Sequence, residues 1–378
     1  MHILLLPSWY PTEENPVKGS FFLEQAEALA AIGHTVSVIA MFRRGNKKTC
    51  WEISRRGNLT EYRLYYDTLP LHLTFFRLMG EIAGLFRREF RGRMPDITHV
   101  HVYQLLPYAM AIRRIYGIPY VVTEHVTWFE RGIVSKKALR RAEAGFRQAD
   151  AVITVSPGLR ETIRPLCGDR EIDVVPNLVS PRFFEGELRA PRGERFGFIS
   201  IGTLEHKKGM DALLRAFERV CQRVPDAVLT VCGDGPDAEA LSRQARELGI
   251  GDKVTFTGQV SREEVARRLR QSQCFVLPSR SETFGVVFIE AMACGLPIVM
   301  TKTSAWELLV LPETGLAVDI DDESGLADAM CSVAENYDAY DPERIRQSCI
   351  DRFSDRAVAE RLTEIYRGVL RRRGKAGL

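Results

Sequence analysis

The chain is predicted to fold as α/β, with two parallel sheets wrapped by helices, one sheet in each of two domains. Three observations predict it. Short apolar runs alternate with amphipathic helical patterns from the first residues on, the mark of parallel sheets that hold ligands at the carboxyl ends of their strands. A length of 378 residues is too great for one small core and suits two domains. A loop-like stretch, residues 181–195 with Pro181, Gly186, Pro191 and Gly193, falls between the two series of elements and reads as a hinge. The expected domains are therefore 1–180 and 196–356, flanking that hinge.

Composition narrows the function classes. With 45% apolar and 27% charged residues, the chain has the make-up of an ordinary folded protein. Its net charge of +3 is unevenly spread, since residues 1–180 hold 24 Lys and Arg against 18 Asp and Glu and the remainder holds 28 against 31. An anionic surface partner would meet the first half, but its arginines are scattered, so nucleic acid is not indicated. Eight cysteines stand singly with no C-x-x-C, which reads as buried small hydrophobes in a reducing compartment. The opening MHILLLP has no basic leader and Pro7 ends its apolar run, so it is expected to be a buried strand. No stretch approaches the length of a membrane span, and a cytoplasmic protein is expected, with contact at the inner face of the membrane left open.

In the first domain, strands are expected at Ile3–Leu6, Val36–Ala40, Asp96–Val102, Tyr120–Thr123, Ala151–Val155 and Ile172–Val175. Helices are expected at Phe21–Ile32, Pro107–Tyr116, Ser135–Gln148 and Pro157–Cys167. The loop PSWYPTEENPVKGS follows the first strand and is placed to touch a ligand; Gly19 and Ser20 open the next helix, where small residues let a phosphate or sugar come near. Residues Met41 to Arg63 are richer in Arg and Lys than in acids. LHLTFFRLMGEIAGLFRREFRGR then carries an apolar face and a basic end. Such a helix either lies in a membrane interface or packs in a core with its arginines opposing the dipole, and the core reading is favoured. The strand from Tyr120 ends in Glu124 and His125, a site position in this topology, with Glu124 placed to orient the imidazole.

The second domain opens with FGFISIG, the loop TLEHKKG and a helix from Met210, with Lys208 just before Gly209. An ammonium there is placed to neutralise a diphosphate. Gly233 and Gly235 in GDGP form a tight turn, but the third glycine and the downstream acid of a dinucleotide fingerprint are missing, which disfavours a dehydrogenase. Ser261 with Glu264 three residues later is a capping box. Asp319 and Asp321 superficially match a D-x-D metal site, yet acids before a helix from about Glu323 are better explained as caps, and no required metal is expected.

The most informative stretch is Cys274 to Met300, CFVLPSRSETFGVVFIEAMACGLPIVM: a strand, a turn-rich loop, a helix opening near Gly285, a stop at Gly295 and a second strand. Glu282 lies on the loop and Glu290 about two turns into the helix, leaning back toward the end that Glu282 flanks. Between them the amides of Phe284, Gly285 and Val286 are the unpaired donors of a helix start, where a phosphate would lie while the carboxylates take hydroxyls.

SRSETFGVVFIEAMACGLPIV resembles retaining GT-B glycosyltransferases of the family-four type, whose signature is Glu, seven residues, Glu, with Thr283 where many members carry Gly. The resemblance covers nearly the whole chain and is strongest from Gly197 to Gly295. It implies two Rossmann-like domains facing a cleft, a last helix of about 357–378 returning to the first domain, and transfer of a sugar from a nucleoside diphosphate sugar to an acceptor hydroxyl with retention. It implies catalytic roles for Glu282, Lys208 and His125, donor contacts at Gly19, Gln259, Val260 and the Phe284–Val286 amides, and a ribose contact at Glu290. The family's Gly-Arg-spacer-Lys-Gly pattern is met by Gly202, Lys208 and Gly209, but Thr203 stands where the Arg would; Lys207, Arg280 or a first-domain Arg are the candidates to replace it. UDP-sugar is expected before GDP-sugar from its frequency in the family, with no further cofactor. The expected acceptor is a glycan or lipid-linked molecule of cell-envelope type. Two rivals stand beside this reading: a nucleotide-sugar epimerase of the same fold, which needs no acceptor, and a non-catalytic nucleotide-sugar-binding protein, raised by Thr203.

Overall fold

The computed structural model describes residues 1–15, 18–44, 49–67 and 71–374, with residues 71 and 72 as helix backbone only. Outside them lie residues 16–17 of the loop after the first strand, 45–48 of the basic stretch, and 375–378 at the end of the expected last helix. The chain divides into two compact units: Met1–Val155, Leu159–Pro176 and Asp355–Leu378 form unit 1, and Ser156–Gly158 with Asn177–Ser354 form unit 2.

Unit 1 is built on an eight-stranded sheet: β1 (His2–Pro7), β2 (Thr35–Arg43), β3 (Cys50–Arg56), β4 (Leu59–Tyr66), β5 (Ile97–His101), β6 (Tyr120–Glu124), β7 (Ala151–Thr154) and β8 (Ile172–Val174). Their order is β3-β4-β2-β1-β5-β6-β7-β8, and every pair but β3–β4 is parallel. All residues of β1, β5, β6 and β7 are buried, because a parallel strand is covered on both faces and reads as a continuous apolar run. The hairpin of β3 and β4 begins in the basic stretch and runs three residues past its end, where no strand was expected. Its outer strand, CWEISRR, is almost wholly exposed, and an edge strand guarded by charge leaves no apolar signature.

The helix expected to choose between core and membrane spans Leu71–Glu89. Leu78, Ile82, Leu85 and Phe86 on it are buried in unit 1, while Leu73 and Phe76 near its start are exposed. Among the described residues no helix is long and apolar enough to cross a membrane.

Unit 2 holds a six-stranded, all-parallel sheet: β9 (Phe196–Ile201), β10 (Ala227–Cys232), β11 (Val254–Phe256), β12 (Cys274–Leu277), β13 (Ile298–Thr301) and β14 (Gly315–Val318), in the order β11-β10-β9-β12-β13-β14. After β9 the chain moves outward through β10 and β11, then returns to the other side of β9 for β12. The loops after β9 and β12 therefore diverge and leave a crevice at their carboxyl ends, where doubly wound sheets bind ligands. Residues 181–195, read as a hinge, belong to unit 2, where the Arg189 amide donates to the Cys294 carbonyl (2.9 Å) and its guanidinium lies 3.8 Å over the Tyr337 ring.

The last helix, Asp355–Arg372, packs in unit 1 through polar ties at apolar depth. Thr363 Oγ1 meets His34 Nε2 at 2.9 Å, and the Tyr366 hydroxyl meets His99 Nδ1 at 2.6 Å. His99 is fully buried, and burial lowers its imidazole to about 3, so it is neutral at any working pH. Removing the Tyr366 hydroxyl leaves that ring nitrogen buried and unpaired, which costs about 1–3 kcal/mol. Tyr366→Phe is expected to lower the unfolding free energy by that amount, read as a lower urea midpoint at unchanged m-value, and an unchanged midpoint would show that the tie does not hold the helix.

Candidate active site

The crevice of unit 2 is made by two loops that approach more closely than side chains allow. Gly209 has φ +68°, and a Cβ there would overlap the Pro278 carbonyl, so the turn after β9 lies directly on the end of β12. Gly233 and Gly235 act likewise, each bringing the loop after β10 against a carbonyl of the loop after β9, that of Gly202 or of Leu204. The turn expected at GDGP is thus a packing device, continued by the Gly233 amide donating to Gly258 (2.9 Å).

On this frame Lys208 and Glu282 form an ion pair, Nζ to Oε2, with side chains only 15% and 14% exposed. Lys208 follows from a turn, His206–Lys208, that Gly209 closes in left-handed geometry. Gly285 (φ +80°, ψ 75°) is the N-cap of the helix Val286–Ala293; a Cβ on it would stand 2.6 Å from the Phe288 ring and 3.1 Å from Glu282 Cγ. The amides of Phe284, Gly285 and Val286 have no acceptor among the described residues, while the Phe284 ring is buried against Phe353. An ammonium and three open amides beside a carboxylate can hold an oxyanion and a hydroxyl at once.

Glu290 lies farther along that helix with its side chain 8% exposed, and Arg262 Nη2 donates to its Oε1 at 2.6 Å. Arg262, over the Phe183 ring at 5.4 Å, was missed by sequence reasoning. A signal existed: it is the first residue of the helix Arg262–Gln271, an end where the positive pole of the helix dipole repels a cation, which so needs a partner. The capping box beside it is present, with Ser261 Oγ accepting from the Glu264 amide at 3.2 Å. Thr203 and Gln259 are exposed and Val260 half-buried on the loops that follow β9 and β11.

Two of the cations offered in place of the family Arg, Lys207 and Arg280, are occupied. Lys207 pairs with Glu205 at 2.9 Å, and Arg280 with Asp211 and Asp321, both at 2.7 Å. Of the acids resembling a metal site, Asp319 pairs with Lys302 (2.9 Å) and Asp321 with Arg280, while Asp322 caps the helix Glu323–Glu335 through the Gly325 amide (2.8 Å).

Unit 1 brings its two predicted residues into one neighbourhood. Gly19 (φ +79°) caps the helix Ser20–Ala31, and a Cβ on it would meet Trp9 at 2.9 Å, so its lack of a side chain already has a packing cause. Phe21 and Phe22 of that helix lie 5.4 and 5.2 Å from the His125 ring, and His101 Nδ1 meets His125 Nε2 at 3.1 Å. His101, not Glu124, therefore orients the imidazole. The Glu124 carboxylate is spent on backbone: Oε1 accepts from the amides of His125 (2.9 Å) and Val126 (3.1 Å), Oε2 from that of Tyr103 (3.0 Å). These bonds join the ends of β5 and β6 beside Val102, a buried residue at φ 73°.

Parallel sheets with loops gathered at a strand-order reversal define a doubly wound α/β protein, here with two such units. Residues 187–350 match the family Glycosyl transferases group 1, and residues 19–183 match Glycosyltransferase Family 4. The chain is 30% identical over 315 residues to the GDP-mannose-dependent alpha-(1-6)-phosphatidylinositol monomannoside mannosyltransferase of Mycolicibacterium smegmatis, covering 77% of this chain and 73% of that one. It is 28% identical over 389 residues to a glycogen synthase of Mycobacterium tuberculosis, covering 96% and 94%. The structure of HepE from Anabaena in complex with UDP superimposes with a TM-score of 0.75 at 18% identity, covering 96% and 99%. The chain belongs to the GT-B glycosyltransferases of the family-four type, and it is a glycosyltransferase enzyme.

Full burial pushes the Glu124 carboxyl up to about 7 against three amide donors that favour its ionised form. Its folded value lies above the unfolded one, so its contribution to stability is complete below pH 4.5 and is lost as pH rises through about 7. Glu124→Gln, which does not titrate, is expected to gain stability relative to the wild type across that window in urea unfolding. Parallel pH curves for the two proteins would contradict this.

Proposed function

We propose that this enzyme transfers a glycosyl group from a nucleoside diphosphate sugar to an acceptor hydroxyl with retention of anomeric configuration, UDP-sugar being favoured over GDP-sugar. One observation carries the proposal: the Lys208–Glu282 pair stands beside the open amides of Phe284, Gly285 and Val286, at the topological switch of unit 2. The relative named for GDP-mannose use and the neighbour bound to UDP support a nucleotide-sugar donor.

In the proposed reaction the bond from the sugar's anomeric carbon to the diphosphate oxygen breaks with its electron pair moving to that oxygen. The acceptor oxygen bonds to the same face of the carbon, and its proton passes to the departing diphosphate. Lys208 and the helix amides stabilise the charge that develops there, an effect that grows from ground state to transition state. Glu282, released from Lys208, holds the donor sugar, and Glu290 takes the ribose hydroxyls. Gln259 and Val260 contact the base, Thr203 lies at the diphosphate, and Gly19 and His125 serve from unit 1. No metal or further cofactor is required, because an ammonium and amides supply the positive field. The acceptor is a glycan or lipid-linked molecule of envelope or other glycan biosynthesis, reached from the cytoplasmic side, at the inner face of the membrane where it is lipid-linked.

Melting curves with UDP, GDP and ADP test the donor. A ligand at 100 times its dissociation constant adds about 2.7 kcal/mol, so one nucleotide is expected to raise Tm by several degrees, and Lys208→Ala and Glu290→Ala to reduce that rise. With the matching donor, Lys208→Ala is expected to lower kcat by about 10²–10³-fold. No shift for any nucleotide would overturn the proposal.

A further inference from the structure

Arg280 lies two residues from Glu282, and its side chain bonds to the turn that carries Lys208, to Asp211 in the helix that follows that turn and to Asp321 beyond β14. Its Nη1 donates to the His206 carbonyl at 2.8 Å and to Asp211 Oδ1 at 2.7 Å. Nη2 donates to Asp211 Oδ2 at 2.9 Å, and Nε to Asp321 Oδ1 at 2.7 Å. Its own amide donates to the Lys207 carbonyl at 2.8 Å. The side chain is 16% exposed, and its hydrogen bonds to Asp211 hold the guanidinium above its usual range. Burial alone would raise the Asp211 carboxyl, but hydrogen bonds from Arg280 and Arg215 keep it well below the ordinary carboxylate range. Arg280 and Asp211 are thus both charged at any working pH.

Four of the five guanidinium N–H directions are consumed by three separate groups, so Arg280 has little left for a substrate phosphate. We propose that Arg280 is a positioning residue: it clamps the His206–Lys208 turn to the loop of Glu282 and thereby sets where the Lys208 ammonium stands. The inference rests on the donor reading given above. A planar fork can serve a bidentate carboxylate, a second carboxylate and a carbonyl together; a lysine ammonium is a point charge and cannot. Arg280→Lys therefore keeps the charge and loses the clamp. Asp211 retains Arg215 at 3.0 Å in that variant, so the helix that begins at Met210 stays anchored.

The test is isothermal titration of whichever of UDP, GDP and ADP the wild type binds best, and of the corresponding nucleoside, into wild type, Lys208→Ala, Arg280→Lys and the double variant. A misplaced Lys208 weakens the diphosphate alone, because the nucleoside never reaches the ammonium. Arg280→Lys is expected to weaken diphosphate binding about tenfold, to leave nucleoside binding within about twofold, and to add almost nothing to Lys208→Ala. Unchanged diphosphate affinity, equal losses for diphosphate and nucleoside, or full additivity with Lys208→Ala would each overturn the positioning role. If Lys208→Ala weakens the diphosphate while Arg280→Lys does not, the donor reading stands and only this inference falls. If the wild type binds none of the three, both fall together. Should Arg280→Lys fail to fold, Asp321→Gly, which removes one tie at a more exposed carboxylate and suits that residue's φ of 60°, decides: a loss of about two- to threefold confined to the diphosphate supports the clamp, and no loss contradicts it.

Discussion

The reversal of strand order between β9 and β12 is the constraint on which the site depends. It separates two loops that leave neighbouring strands in opposite directions, and the crevice between them exists before any side chain is placed. What the sequence adds is closeness. Gly209 and Gly233 remove the side chains that would hold the backbones apart, and Gly285 does the same where the helix Val286–Ala293 begins. Any Cβ at Gly209 would push the Lys208 turn off Pro278 and away from Glu282.

Within this site the charges neutralise one another. Lys208 meets Glu282, and Arg262 meets Glu290, all with side chains no more than 20% exposed. A charge left single at such depth would cost several kcal/mol, so each pair offsets the burial of its own two charges. On the proposed reading, a diphosphate sugar offers oxyanions to Lys208 and hydroxyls to the carboxylates.

Much of this was legible in the sequence, and the parts that were not share a physical cause. The parallel strands announced themselves because burial on both faces makes them continuous apolar runs. Glu282, Gly285 and Glu290 could be placed because a strand, a loop and a helix start follow one another within a few residues. The β3–β4 hairpin escaped because an exposed, charged edge has no hydrophobic period. Contacts across long separations escaped as well: Arg280 with Asp211, Arg262 with Glu290 and His101 with His125 are side-chain pairs that spacing does not encode. Glu124 was assigned to the imidazole next to it, whereas its carboxylate serves three backbone amides, an arrangement that only the meeting of β5 and β6 creates.

The measurement that tests the account most directly is a crystal structure with the tightest-binding nucleoside diphosphate. The terminal phosphate is expected on the amides of Gly285 and Val286, with the Lys208 ammonium moved from Glu282 onto a phosphate oxygen and Glu290 on the ribose. A diphosphate bound elsewhere, with the Lys208–Glu282 pair intact, would contradict it.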